Sequence, residues 1–283
     1  MTSVYDTDHL DGKVFNSSAS PQVNTNALFP QQRIHPEYLP GGRKSLAGIS
    51  SHAFGLGVAL GLCSLISGQL AYHSHYLWRV PFFITILAVF HFLEFYITAR
   101  YNPPDARVSS YLLFSNGRAY NIAHTTAVVE ALLRHWTFNL GLWSGSILPA
   151  GWQSIASMQY IEPSVLVGIA FIVVGQCTRS VAMKQAGTSF NHIVQSLKKE
   201  DHVLITTGIY RFSRHPAYCG FFWWGLGTQL VLGNHICFLV YTIVLWRFFS
   251  HRIGHEEQHL LRFFGDEYKR FRDETPVLIP FIR

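Results

Sequence analysis

The sequence predicts an all-α integral membrane protein. About six transmembrane helices are expected, including a helical hairpin in the C-terminal half, with an amphipathic helix after them. Three observations carry this. First, charged residues make up 13% of the 283-residue chain, about half the share of a soluble domain. Second, the charges leave long gaps: none lies in the 34 residues from Ser45 to Trp78, or in the 32 from His215 to Trp246. Third, hydrophobic residues make up 49% and aromatic ones 15%. A disordered chain is excluded and an ordinary soluble enzyme is disfavoured.

Residues 1–44 are rich in Asn, Ser, Pro and Gln and are expected to form a polar, mobile N-terminal tail. Its start, MTSVYDTDHL, has no basic region leading into an apolar core, so the first apolar helix is expected to do the targeting. The first span is predicted over Leu46–Ala71 and the second over Val80–Ala99, with His91 and Glu94 inside it. A basic, turn-rich stretch, Arg100 to Arg118, follows; Asn102-Pro103-Pro104 breaks the helix there. A third, less apolar span covers Ala119–Leu140 and carries Glu130 and Arg134. Segment Trp143–Pro163 has no Lys or Arg, and a fourth span runs over Val165–Ala182.

After the polar stretch Met183 to Arg214, two apolar segments, Pro216–Leu232 and Ile236–Phe249, are joined by Gly233-Asn234-His235. Pro216 suits the first position of a helix, and so short a joint demands a tight helical hairpin. From His251 to Arg272, Leu260, Leu261, Phe263, Phe264, Tyr268 and Phe271 alternate with basic residues, as in a helix lying at a membrane interface. Six spans put both ends on one side. The distribution of Lys and Arg assigns that side to the cytosol, with only Arg79 and Arg134 at or near the other. The net charge of +6 is concentrated too: residues 179–283 hold 13 basic and 8 acidic residues. On a membrane protein this points to anionic lipid before nucleic acid, and no nucleic-acid partner is expected.

Several motifs invite other readings. Gly55-Leu-Gly57-Val-Ala-Leu-Gly61 approaches a dinucleotide fingerprint but lacks the strand and the spacing. Gly57 and Gly61 are read instead as small residues for close helix packing. Cys63, Cys177, Cys219 and Cys237 form no CxxC pair and read as buried apolar residues. His255-Glu256-Glu257-Gln258-His259 fits the H-E-x-x-H helix of zinc proteases. An integral-membrane zinc metalloprotease is therefore the rival, although no third ligand is apparent. Glu94 and Glu130 lie in apolar helices, where ionisable groups are costly and often functional. His91, one turn before Glu94, is a candidate partner, and a structural or substrate-lining role is favoured over proton transport.

The densest signal lies in QAGTSFNHIVQ, DHVLITTGIYRFSRHPAYCGFFWWGLGTQ and RIGHEEQHLLRFFGDEYKRF. Polar residues cluster beside the hairpin, and Arg252 and Glu256 stand one turn apart. Such an arrangement suits an anionic or zwitterionic ligand held at a membrane surface.

These three segments, together with FHFLEFYITARYNP at residues 90–103, resemble the isoprenylcysteine carboxyl methyltransferases, most closely the fungal members. The resemblance runs from about residue 46 to 282. Arg214-His-Pro-x-Tyr-x-Gly220 alone also occurs in related membrane lipid methyltransferases and sterol reductases, which remain an alternative; with Glu256-Glu257 and Phe264-Gly265-x-x-Tyr268 the set is more specific. The resemblance implies a multi-pass endoplasmic-reticulum enzyme, with both termini and the active site cytosolic. It would methylate the C-terminal α-carboxylate of prenylated cysteine in CaaX-processed proteins, using S-adenosylmethionine. It also implies cofactor contacts at Gln195, at His202, Val203, Leu204 and Ile205, at Tyr210, and at His215, Pro216, Ala217 and Tyr218. Arg252 and Glu256 match the family's substrate positions and are the catalytic candidates; no metal is implied. The organisation expected is a tail (1–44), N-terminal transmembrane helices (45–182) and a catalytic region (183–283) with cofactor loop, hairpin and amphipathic helix. Glu256 is expected either to fix Arg252 or to meet a cofactor ammonium. Phe221, Phe222, Trp223 and Trp224 are expected to line a lateral lipid entry or to pack ordinary helix contacts.

Overall fold

A computed structural model describes residues 35–140, 163–195, 197–198 and 202–283. The expectations for residues 1–34 and for most of Trp143–Pro163 lie outside the described residues. Pro36–Arg283 form one compact unit, helical among the described residues and without strands there. Its long helices are α1 (Leu46–Tyr72), α2 (Arg79–Tyr101), α3 (Arg118–Asn139), α4 (Pro163–Ala186), α5 (Pro216–Leu232) and α6 (Ile236–Phe264), followed by α7 (Asp266–Glu274). Each of the six apolar segments is thus a helix. Four stretches are long and apolar enough to cross a membrane: Leu46–Tyr72, Tyr76–Tyr101, Pro163–Ser189 and Ile236–Phe264.

Local chemistry sets the helix ends. Ser45 Oγ accepts the Gly48 N–H at 3.1 Å and caps α1. Pro216 opens α5, and Gly233, at φ +73°, closes it in the left-handed conformation that glycine adopts without strain. Three residues later α6 begins, its first N–H groups satisfied by a carboxylate: Glu130 accepts from Ile236 at 2.9 Å and from Cys237 at 2.7 Å. Negative charge at a helix N-terminus is favoured twice, by the free N–H donors and by the helix dipole. Glu130 therefore has a structural task. Arg134 donates to the Gly233 carbonyl and the Tyr76 hydroxyl to the Leu232 carbonyl at 3.0 Å, so the hairpin turn is pinned from α3 and from the short turn that precedes α2.

The C-terminal half differs from expectation in one respect. The apolar run Ile236–Phe249 and the amphipathic segment after it are one continuous helix as far as Phe264. Ser250, His251 and Arg252 lower hydropathy without breaking helical hydrogen bonding. The stop comes at Gly265, at φ +55°, and the remainder of the amphipathic segment is α7.

Polarity is arranged as in a membrane protein. Large apolar side chains such as Leu62, Leu65, Ile66, Leu239 and Ile243 are exposed, while Thr228, Gln229 and Asn234 are buried. Asn234 Nδ2 donates to Gln229 Oε1 at 3.0 Å and to the Ala127 carbonyl at 2.9 Å, joining α3 to the hairpin. Close helix packing occurs between α4 and α5, not at the glycines expected. A Cβ added at Gly57 or Gly61 would meet nothing within 4 Å. One added at Gly175 would stand 2.5 Å from the Gly220 carbonyl oxygen, and one at Gly227 2.7 Å from that of Gly168. Of the four aromatics at the start of α5, Phe222 and Trp224 are buried. Phe90 and Trp224 rings lie 4.5 Å apart, so helix packing accounts for these two.

Candidate active site

At the end of the bundle opposite the hairpin turn, a cleft of about 690 Å3, including its open mouth, lies between the start of α5, the second half of α6, α7 and the segment after α4. Pro216 fixes the start of α5 and so sets Ala217 and Tyr218 at the wall. The run His202, Val203, Leu204 and Ile205 forms another side, with Tyr210 and His215 between them. Nine of the ten cofactor candidates therefore share one cleft. Gln195 does not line it; its side-chain amide turns back to the Ile193 carbonyl at 3.0 Å.

Glu256 lines the same cleft. The Tyr218 hydroxyl donates to Glu256 Oε2 and accepts from Arg252 Nε at 2.8 Å. The Arg252 guanidinium also lies over the Tyr218 ring, 5.2 Å from its centroid, within cation–π range. Arg252 is therefore one hydrogen bond behind the lining, and Tyr218 mediates its link to Glu256. Glu256 reaches Arg252 only through this phenol. Arg252 Nη2 donates to the His192 carbonyl at 2.5 Å.

Beneath the cleft lies a buried ionic cluster. Arg214 donates through Nε to Glu257 Oε1 at 2.6 Å and through Nη1 to the Thr275 carbonyl at 2.7 Å. His215 Nε2 lies 3.2 Å from the same Glu257 oxygen. The C-terminal segment folds back to support it: Arg214 N–H reaches the Pro276 carbonyl at 3.0 Å and Ser213 Oγ that of Val277 at 2.8 Å. These contacts fix the His215 ring, which stacks on Tyr218 at 5.5 Å and 9°. Burial pushes the Tyr210 phenol above its usual range and Tyr268 likewise, with Glu257 adding to the second. Both remain neutral O–H groups at physiological pH.

One sequence expectation is corrected. His91 does not pair with Glu94: its ring nitrogens meet the Tyr111 carbonyl at 2.8 Å and the Tyr120 hydroxyl at 3.1 Å, while Glu94 pairs with Arg179 and His192. The H-E-x-x-H segment does lie on a helix, and the His255 and His259 rings are 4.9 Å apart. Glu256, however, is bonded to Tyr218, and among the described residues no three His, Cys, Asp or Glu groups are placed to hold a metal ion. Sequence reasoning missed Phe190, Phe264, Tyr268 and Phe271, which add aromatic walls to the cleft. Phe264 and Tyr268 were visible only as part of the Phe-Gly-x-x-Tyr motif, without a stated role.

Comparison with known proteins gives one consistent result. Residues 167–262 match the model of the isoprenylcysteine carboxyl methyltransferase family. A protein-S-isoprenylcysteine O-methyltransferase of Saccharomyces cerevisiae is 40% identical over 252 residues, covering 89% of this chain and 98% of the yeast protein. One of Schizosaccharomyces pombe is 41% identical over 219 residues, covering 73% of this chain and 86% of that protein. The solved structure of a eukaryotic intramembrane Ras methyltransferase aligns with a TM-score of 0.72 at 31% identity, covering 83% of this chain and 77% of the other.

Proposed function

The chain belongs to the isoprenylcysteine carboxyl methyltransferase family, and from that premise we propose that it transfers a methyl group from S-adenosylmethionine to the C-terminal α-carboxylate of prenylated cysteine in CaaX-processed proteins. The observation that carries this is the chain Arg252–Tyr218–Glu256, of which Tyr218 and Glu256 line a cleft and Arg252 stands directly behind them, at one end of an apolar helix bundle. The donor set fits the cofactor: aromatic rings and the main chain of His202–Ile205 for a base and ribose, and a carboxylate, Glu256, for a cationic group. We assign the cofactor to the residues from His202 to Tyr218 named above, and the substrate carboxylate to Arg252, with Glu256 at the same substrate position, linked to Arg252 through Tyr218 and facing the cationic group of the cofactor. All six long helices are proposed to span the membrane of the endoplasmic reticulum, with both termini and the cleft cytosolic and residues 183–283 forming the catalytic region. Arg79 and Arg134, converging on Gly233, would then mark the lumenal end.

S-adenosylmethionine, when bound, supplies an electrophilic methyl on a sulfonium. An α-carboxylate has a pKa of about 3.5 and is already ionised near neutrality, so no general base is needed. The protein's work is to align donor and acceptor and to exclude water. Arg252 has five N–H donors in a planar fork. Tyr218 and the His192 carbonyl take two of them, and the rest orient the carboxylate without neutralising it fully. The Tyr218 hydroxyl holds Glu256 on one side and Arg252 on the other, so acceptor and cofactor sites share one hydrogen-bonded frame.

Tyr218→Phe tests that frame. The ring keeps its stacking on His215 and Phe249 and only the hydroxyl is lost. Since two charge-assisted hydrogen bonds go, kcat/KM is expected to fall about 10- to 100-fold with little change in thermal stability. Steady-state kinetics beside a melting curve checks it. The function itself is tested with purified protein, labelled S-adenosylmethionine and N-acetyl-S-farnesylcysteine. Label in the farnesylated product is expected. No transfer by folded protein that binds the donor would count against the reading, and donor-independent, zinc-dependent peptide cleavage would favour the metalloprotease.

A further inference from the structure

The guanidinium of Arg252 is held partly by the loop at His192, and that loop is tied to a charge deep in the bundle. Glu94, about two turns before the end of α2, is 1% exposed. It accepts from Arg179 of α4 twice, Nε at 2.5 Å and Nη2 at 2.8 Å, and lies 2.9 Å from His192 Nε2. The two partners lead to the cleft by separate routes. Arg179 Nη1 donates to the Ala217 carbonyl at 3.2 Å, in the first turn of α5 beside Tyr218. The His192 carbonyl accepts from Arg252 Nη2. The same loop is also held from the end of α2: Asn102 Nδ2 donates to the Phe190 carbonyl at 3.0 Å, and Asn191 Nδ2 to Asp105 Oδ2 at 3.3 Å.

None of Glu94, Arg179 and His192 lines the cleft. Buried ion pairs are poor stabilisers compared with apolar side chains of similar size, and an ionised carboxylate among apolar helices is costlier still. What this cluster does provide is a geometry with two arms, one of them adding to the hold that Asn102 and Asp105 already have on the loop. We propose that Glu94 is a positioning residue for methyl transfer: through His192 it sets where Arg252 presents its guanidinium, and through Arg179 it fixes the turn that carries Tyr218. The inference rests on the functional reading above.

His192 gives the cleanest test, because Arg252 contacts its main-chain carbonyl, which His192→Ala retains. That variant removes the tether to Glu94 together with an edge contact to the Phe190 ring, 5.3 Å away. In the methyl-transfer assay KM for N-acetyl-S-farnesylcysteine is expected to rise about tenfold, with kcat lowered as well, because a displacement of about 1 Å at a positioning group carries such effects. The equilibrium Kd for S-adenosylmethionine should stay within about twofold. His192→Gln, whose amide N–H can still reach Glu94, should recover most of the loss. Glu94→Gln is expected to shift KM in the same direction; if it does not fold, the His192 pair decides. Unchanged KM and kcat in His192→Ala would overturn the proposal. So would an equal weakening of donor and acceptor, which describes general loosening of the fold. Wild-type protein inactive in the assay would instead sink the functional reading, and an active wild type with an indifferent His192→Ala would sink this inference alone.

Discussion

Arg252→Ala is expected to lower methyl transfer to farnesylcysteine by about 100- to 1000-fold while S-adenosylmethionine still binds within about threefold of wild type. The separation follows from position. Arg252 is not part of the cleft wall, so its removal leaves the aromatic lining and the segment His202–Ile205 in place. What is lost is the donor fork that orients the carboxylate, together with the hydrogen bond to Tyr218. Lysine should rescue poorly, since an ammonium lacks the planar geometry that serves Tyr218, the His192 carbonyl and a carboxylate at once. Single-turnover kinetics beside donor titration checks both halves. Near-normal turnover in a folded Arg252→Ala protein would remove Arg252 from the site.

Gly175→Leu is expected to cost the most stability, about 3 kcal/mol or more. An added Cβ there would lie 2.5 Å from the Gly220 carbonyl oxygen and 2.7 Å from the Trp224 nitrogen. Both are backbone atoms in α5, so no side chain can swing aside and the two helices must separate. Gly220 faces the same constraint in reverse, with Gly175 O at 2.5 Å and Arg179 N at 2.8 Å. Separation also pulls Arg179 from the Ala217 carbonyl, so activity should fall with stability. Gly175→Ala should show the same defect in milder form. Gly61→Leu serves as the control, because nothing lies within 4 Å of a Cβ at Gly61. Thermal unfolding of detergent-purified variants reads the difference; equal melting temperatures for Gly175→Leu and Gly61→Leu would contradict the packing described.

Most helices were legible because hydropathy and breakers are local properties. The charge-free runs, Asn102-Pro103-Pro104, Pro216 and the Gly233 turn each act within a few residues, and the helices begin and end near them. The length of α6 was less legible: hydropathy drops after Phe249, but helical hydrogen bonding continues until Gly265. The glycines that matter for packing could not be told from those that do not, since Gly57 and Gly175 look alike until a partner helix is known. Glu94 shows the same limit at the site. Its charge in an apolar run marked it as unusual, but its partner Arg179 is 85 residues away, and His91, the nearer candidate, is engaged by Tyr111 and Tyr120. The cleft residues themselves were found through family motifs. Burial of Tyr210 and Tyr268 and the bridging role of Tyr218 depend on how the chain folds, and spacing alone does not reveal them.

The most direct measurement is of the atom that receives the methyl group. Purified protein would be given labelled S-adenosylmethionine and N-acetyl-S-farnesylcysteine, and the product treated with alkali. A methyl ester on the α-carboxylate releases its label as volatile methanol, and complete release is the predicted result. Label that stays on the product after alkali, or that appears in co-purified lipid instead, would contradict carboxyl methylation and point to a related membrane lipid methyltransferase.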